Sequence, residues 1–225
     1  MNDRYWRVLQ AEAAKYNKMQ KLSNDFYLRN DVVQIAKDLL GKIIVTKFDG
    51  ICTAGRIVET EAYAGIIDKA SHAYNNRRTN RTEIMFGKGG VSYVYLCYGI
   101  HHLFNVVCNT KDNPDAVLIR GIEPLEGMDT MLKRFNKEKF DSSIGRGPGN
   151  ASKALGIFTQ HTGVNLQSKE LFIADDGTTG FDIAVSKRIG VDYAAEHAQW
   201  LYRFFIYGNP HVSKHVFNKE GILLL

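Results

Sequence analysis

Arg56-Ile57-Val58-Glu59-Thr60-Glu61-Ala62-Tyr63 is the stretch around which the rest of the chain is read. Its β-branched residues predict a strand, yet it carries two carboxylates two positions apart. Residues i and i+2 share a face of a strand, so Glu59, Glu61 and Tyr63 are expected to point the same way. Tyr93-Val94-Tyr95-Leu96-Cys97-Tyr98-Gly99 answers it. This second strand puts Tyr93 and Tyr95 on one face and Val94 and Leu96 on the other, then turns at Tyr98-Gly99. A carboxylate and several aromatic rings converging on one concave place suit chemistry on a flat, electron-poor ring.

Outward from these strands the remaining elements follow in order. Residues 1–22 are charged and contain alanines, and read as a peripheral helix or a loosely held extension, with the main domain over 23–225. Asn30-Asp31 reads as a cap for a helix carrying Val32, Ile35, Ala36, Leu39 and Leu40, stopped by Gly41. Lys42–Lys47 is a short strand, and Asp49-Gly50 turns it into Ile51–Thr60. Residues 64–90 form a long connection with a basic bias, and a loop of that length in a compact domain is a functional candidate. Strands are expected at Leu103–Asn109 and Ala116–Ile122, and Pro124 is read as opening a helix that runs to about Phe135. Gly145-Arg146-Gly147-Pro148-Gly149 lacks the lysine and hydroxyl of a P-loop, but can set backbone amides at a helix start near a phosphate. Strands at Glu170–Ala174, Phe181–Ser186 and Leu201–Tyr207 and a helix at Tyr193–Gln199 complete the reading. Strands and helices mix without regular βαβ alternation. The expected fold class is therefore α+β: a single mixed domain with a curved, largely antiparallel sheet and surrounding helices.

The totals bound the function. A length of 225 residues buries a sizeable core, and 44% hydrophobic with 24% charged residues is ordinary for a globular protein. A formal charge of +5 is compatible with a polyanionic partner without proving one. Three cysteines, Cys52, Cys97 and Cys108, with no short spacing argue against a disulfide framework or a zinc knuckle. No stretch reaches the roughly 20 apolar residues of a membrane span, and the N-terminus lacks a signal-peptide run, so a cytoplasmic chain is expected.

Among chemistries, a metal site is disfavoured: seven histidines include His101-His102 but no HExxH pattern. There is no Gly-x-Ser-x-Gly elbow for a nucleophile. The Glu59/Glu61 pair can supply a general base and its electrostatic neighbour, the alternative being an exposed strand with solvated glutamates. Tyr63, His72, Tyr95 and Tyr98 flank the pair, and basic segments lie on both sides in sequence. Rings stack on bases and arginines hold phosphates, which points toward a nucleic-acid enzyme.

Longer motifs carry a resemblance. Gly55–Tyr63 with Ala70-Ser71-His72 and Met85-Phe86, Tyr93–Gly99 with Asn105 following, Val117–Gly127, Gly147-Pro148, Arg188–Val191 and Arg203–Ser213 resemble the alkyladenine (3-methyladenine) DNA glycosylase family over roughly residues 26–213. The resemblance implies a single mixed α/β domain that flips alkylated or deaminated purines, of the 3-methyladenine and hypoxanthine type, from duplex DNA. It implies an enzyme that hydrolyses the N-glycosidic bond and leaves an abasic site. It implies Glu61 as the base that activates water, with Arg120 and the main-chain carbonyl of Ile189 holding that water. Tyr63, Tyr95 and His72 would sandwich the base, Asn105 would crowd the amino group of guanine, and Tyr98 would fill the gap in the duplex. No cofactor or metal is expected. The expected partner is damaged duplex DNA, bound by a monomer that is nucleoid-associated if bacterial. The loop Lys111–Pro114, the segment Gly149–Lys153 and His211 depart from patterns seen in some members. The alternatives are a damage-binding protein without turnover and a glycosidase for free nucleosides.

Overall fold

A computed structural model of the chain describes residues 19–224. The helix or extension expected over residues 1–22 falls mostly outside that range. Gln20–Lys21, at its end, is a short strand (β1) rather than helix. Short helix α1 (Asn24–Tyr27) and helix α2 (Val32–Asp38) follow, and Asp31 caps α2 by accepting from the Gln34 N–H at 2.9 Å. Val32, Ile35 and Ala36 of α2 are buried, as their spacing predicts.

Strands β2 (Ile43–Phe48) and β3 (Ile51–Tyr63) form the expected hairpin, and Asp49 and Gly50 both take the positive φ that a two-residue turn of this hand requires. The others are β4 (Ser92–Cys97), β5 (His101–Cys108), β6 (Asp115–Glu126), β7 (Leu171–Asp175), β8 (Ile183–Ser186), β9 (Arg203–Ile206) and β10 (Ile222–Leu224). All join one antiparallel sheet, with a path β1-β7-β2-β3-β6-β5-β4 and a branch in which β9 pairs β3, β8 pairs β9 and β10 pairs β8. The α+β reading holds. β3 is the trunk of the sheet. Its first half pairs β2, its Glu59–Glu61 segment pairs β9, and most of its length pairs β6.

The β3–β6 ladder breaks register three times. Ile57 faces Ile122 and Glu59 faces Gly121, so Val58 is an extra residue on β3; Thr60 then faces Ile119, so Arg120 is an extra residue on β6. Bulges bend a strand and re-aim a side chain. Here the first lets Ile57 and Val58 both enter the main core, and the second frees Arg120 from a paired position beside the glutamates. The third corrects the sequence reading. Pro124 does not open a helix but sits inside β6 opposite Gly55, with Leu125 extra before Glu126 meets Ala54. A proline has no N–H for the ladder and is tolerated at such an irregularity. The helix, α3 (Met128–Phe135), starts only after Gly127 at φ 77°.

α4 (Pro148–Leu155) packs on β5 and β6. The expected helix near residue 193 is instead a 3₁₀ stretch, Asp192–Gln199, broken at Ala195, where φ is 50°. The connection over residues 64–90 contains only two 3₁₀ turns, Tyr74–Asn76 and Glu83–Phe86. Among the described residues, no helix is long and apolar enough to cross a membrane.

Candidate active site

β3 is covered along almost its whole length, and Glu59 and Glu61 have no solvent exposure. The alternative of solvated glutamates on an exposed strand is thereby excluded. A buried carboxylate persists as a charge only when it is paired and hydrogen-bonded. Glu59 meets this need with three donors. Its Oε1 accepts from Arg120 Nε at 3.1 Å and Arg203 Nε at 2.7 Å, and its Oε2 accepts from the Ser213 N–H at 2.7 Å. Burial works against its charge, but Arg120 and Arg203 outweigh burial and hold its pKa below the ordinary carboxylate value. Gly121 makes the room: a Cβ there would lie 3.2 Å from the Glu59 Cβ and 2.9 Å from the His211 carbonyl oxygen.

Glu61 has different partners. Oε1 accepts from the Ile189 N–H at 2.8 Å, Oε2 accepts from the Tyr63 hydroxyl at 2.8 Å, and Arg120 Nη1 lies 3.2 Å from Oε2. Arg120 thus spans both glutamates. Burial opposes its charge, yet Glu61 and then Glu59 raise its pKa. The Tyr63 hydroxyl is pushed well above its ordinary pKa by burial and by Glu61, so it stays a donor. Tyr63, Arg120 and Ile189 all line an open cleft of about 680 Å³. The carboxylate therefore lies directly behind the cleft wall. A carboxylate offers about four acceptor positions, and three are taken here.

Beside the cleft, and sharing Tyr63, His72, Tyr95 and Tyr193 with it, lies a compartment of about 40 Å³ that Tyr93 and Asn105 also line, among others. The rings are interlocked. His72 meets Tyr95 edge to face at 4.7 Å between centroids, and its Nδ1 is 2.9 Å from the Tyr93 hydroxyl. Burial first, then Arg81 and Arg77, lower the His72 pKa to about 4, so the ring is neutral at pH 7. Asn105 Nδ2 donates to the carbonyls of Tyr93 and Leu103, which leaves Oδ1 as the uncommitted atom of this buried side chain.

Tyr98 stands apart from these, at the tip of the β4–β5 hairpin. It is 91% exposed, with φ 51°, followed by Gly99 at φ 72°. It lines the cleft mouth together with Arg146 and the Gly147–Asn150 start of α4. All eight residues singled out in the sequence thus lie on or directly behind one cleft and its compartment. Ile189 contacts Glu61 through its N–H.

Sequence reasoning missed several supports. Arg203 was quoted only within a motif, yet it is buried and holds Glu59. Arg188 is buried against Asp68, with bonds of 2.5 and 2.9 Å, and donates to the Ala62 carbonyl at 2.9 Å while lying 4.8 Å from the Tyr63 ring centroid. For Arg203 the available signal was an arginine inside an otherwise apolar stretch; Arg188 follows Ser186 and Lys187 and carried no such signal. The basic segments also sort themselves. Arg78 pairs with Glu83 and Asp112, Arg134 donates to the Ala154 carbonyl, and Lys137 pairs with Asp141, whereas Arg81 and Arg146 line the cleft. Among the described residues, no group of three or more His, Cys, Asp or Glu is placed to hold a metal ion.

A family model described as methylpurine-DNA glycosylase matches residues 25–210. A putative 3-methyladenine DNA glycosylase of Clostridium perfringens (strain SM101 / Type A) is 46% identical over 204 residues, covering 86% of this chain and 99% of the relative. Proteins of the same description from Natranaerobius thermophilus and Desulfitobacterium hafniense are 44% and 39% identical over 196 and 202 residues. Those alignments cover 86% and 87% of this chain and 98% and 99% of the relatives.

Proposed function

This chain belongs to the methylpurine-DNA glycosylase family, and from that premise we infer that it is a 3-methyladenine DNA glycosylase, a hydrolase of N-glycosyl bonds that removes alkylated purines from DNA in base excision repair. The roles of individual residues are our proposal. The observation that carries them is that every group bonded to the Glu61 carboxylate also lines the cleft, whereas Arg203, which binds Glu59, does not.

A base stacked inside a duplex is out of reach of Glu61, so it has to be extruded, at a cost of a few kcal/mol. Tyr98, at an exposed hairpin tip, would enter the vacated stack and offset that cost. The extruded purine would lie between the Tyr63 and Tyr95 faces. A cationic alkylpurine there gains about 0.5 to 2 kcal/mol that a normal purine lacks. His72, neutral at pH 7, adds no repulsive charge. Asn105, which lines the compartment, would crowd a guanine amino group. That exclusion acts through space, since Oδ1 is itself an acceptor.

Glu61 would use its remaining acceptor position to take a proton from a water, with Arg120 and the Ile189 carbonyl fixing that water. Its oxygen bonds to C1′ of the sugar as the C1′–N bond breaks. The bond's electron pair neutralises a departing cationic base, whereas a neutral purine such as hypoxanthine leaves as an anion and takes a proton from water in the open cleft. No lysine is present among the described residues lining the cleft or the compartment, which supports hydrolysis without a Schiff base. We propose that the enzyme acts as a monomer in the cytoplasm.

The test is incubation with duplex DNA carrying 7-methylguanine or hypoxanthine. Free base should be released, the strand should stay intact until treated with alkali, and borohydride should trap no protein–DNA adduct. Tight binding to the lesion duplex with no free base would identify a damage-binding protein instead.

A further inference from the structure

Arg81 holds a position that the catalytic roles above do not use. It lies in the long connection between β3 and β4, and is exposed. Its guanidinium carbon is 4.8 Å from the Tyr95 ring centroid, its Nε donates to the Tyr93 hydroxyl at 3.2 Å, and its Nη2 is 3.5 Å from His72 Nε2. All three of those rings line the deep compartment, while Arg81 lines only the open cleft. The guanidinium therefore stands on the cleft side of the rings that line the compartment.

Its charge is not answered there. Arg78, three residues earlier, has Glu83 and Asp112. No carboxylate among the described residues pairs with Arg81, and its polar partners are a phenol and a neutral imidazole. Deeper in the site, Glu59 and Glu61 are matched by Arg120 and Arg203. The cleft side of these rings thus carries an unmatched cation, with Arg77 close enough to add to it.

We propose that Arg81 is a charge filter for the extruded base, offsetting part of the gain that cationic purines make from the tyrosine faces and so narrowing their advantage over neutral damaged purines. The proposal rests on the glycosylase reading. A cationic purine gains from the tyrosine faces, but Arg81 already uses the cation–π attraction of Tyr95 and repels a second positive charge. A neutral purine with a ring carbonyl, such as hypoxanthine, meets no repulsion. It offers an acceptor to the guanidinium N–H groups. Arg81 is exposed, so water and salt weaken the effect without erasing it at this range.

Single-turnover release from 7-methylguanine and hypoxanthine duplexes, at saturating enzyme, tests the filter as a ratio of two rates. Arg81→Gln should raise the 7-methylguanine to hypoxanthine ratio by about three- to tenfold, the size expected of one partly screened charge. Arg81→Lys keeps the charge and should hold the ratio within about twofold of wild type, even if both rates fall. In the wild type the ratio should rise with added salt, and in Arg81→Gln it should not. An unchanged ratio in Arg81→Gln, or an equal loss on both substrates, would make Arg81 a phosphate contact or a structural prop and overturn the filter. Failure of the wild-type chain to release either base would instead bring down the glycosylase reading, and the filter with it.

Discussion

Glu59 and Glu61 stand two residues apart on one strand, equally buried, and share Arg120. They differ in where their other partners come from. Glu59 is closed in by Arg203 of β9 and the Ser213 N–H. Glu61 is held by Tyr63 and Ile189, which form the cleft wall. The first arrangement locks three segments of the fold onto a charge, and the second presents a charge to whatever enters the cleft. The same residue type with the same burial thus has two uses, and the origin of the hydrogen-bond donors separates them. Arg120 couples the two, freed by a bulge to reach both carboxylates.

The largest effect that can break this comparison is on turnover. Glu61→Gln removes the proton acceptor, and general-base catalysis contributes about 10² to 10⁴-fold. Single-turnover base release at saturating enzyme should fall by that order. Some stability goes with it, because Ile189, Tyr63 and Arg120 are all donors toward this side chain. The Tyr63 hydroxyl can turn to accept from the new amide, which limits the loss to about 1 to 3 kcal/mol. Release near the wild-type rate would remove Glu61 from the chemistry.

Glu59→Gln should show the reverse balance. It strips the countercharge from Arg203 and half of that from Arg120, both buried. Breaking a buried pair by removing one partner costs about 3 to 5 kcal/mol, which denaturant titration will show. Release per folded molecule should change less than tenfold, on the order of a positioning error in Arg120. The acid limb gives an independent check. The folded pKa of Glu59 is depressed, so its contribution is present above the ordinary carboxylate range and lost as pH falls through the folded value. Wild type and Glu59→Gln should therefore converge in stability as the pH is lowered. Should Glu59→Gln abolish release while Glu61→Gln spares it, the two roles are exchanged.

The elements of this comparison were unequally legible in the sequence. Local signals were sufficient for the β2–β3 hairpin, the Asp31 cap and the alternation of the tyrosine strand, because each depends on neighbours a few residues away. Pro124 misled for the same reason: a helix-opening signal is local, but the bulge that accommodates it depends on pairing with Ala54 and Gly55. Periodicity put Glu59, Glu61 and Tyr63 on one face and could not rank the glutamates. That ranking came from the family resemblance, and its physical basis lies in partners far along the chain. Arg203 is 144 residues from Glu59, and Ile189 is 128 residues from Glu61. The Arg188–Asp68 pair, 120 residues apart, was invisible for that reason too.

A smaller effect sharpens the contrast on the cleft side, where groups are tuned by burial as well as by pairing. The His72 pKa is lowered from 6.5 to about 4 by burial, then by Arg81 and Arg77. Between those values the unfolded chain binds a proton that the folded chain does not. Folding stability should therefore rise with pH from about 4 to 6.5 and fall as acid is added, by up to about 3 kcal/mol from this group. His72→Gln should flatten that part of the stability–pH curve. If the variant and wild type run parallel from pH 4 to 6.5, His72 is not held neutral by its surroundings.

The smallest expected change in stability belongs to the residue least like either glutamate. Tyr98 is 91% exposed, which rules out a core ring whose loss would cost about 3 to 5 kcal/mol. Its backbone lies at φ 51°, a region that L residues other than Asn and Asp seldom occupy and that glycine takes without strain. Tyr98→Ala removes the ring and keeps the strained backbone, so stability should move by no more than about 0.5 kcal/mol. Tyr98→Gly removes the ring and the strain together, and should be at least as stable as Tyr98→Ala. Affinity should behave otherwise. Stacking of one aromatic ring on a base is worth about 1 to 3 kcal/mol, so both variants should bind lesion or abasic duplex roughly five- to a hundredfold more weakly. Two variants with equal losses in binding and a small ordered difference in stability would separate the wedge from the turn that carries it. Undiminished affinity in both would leave the exposed ring without a role in DNA, and another group would have to hold the duplex open while Glu61 acts.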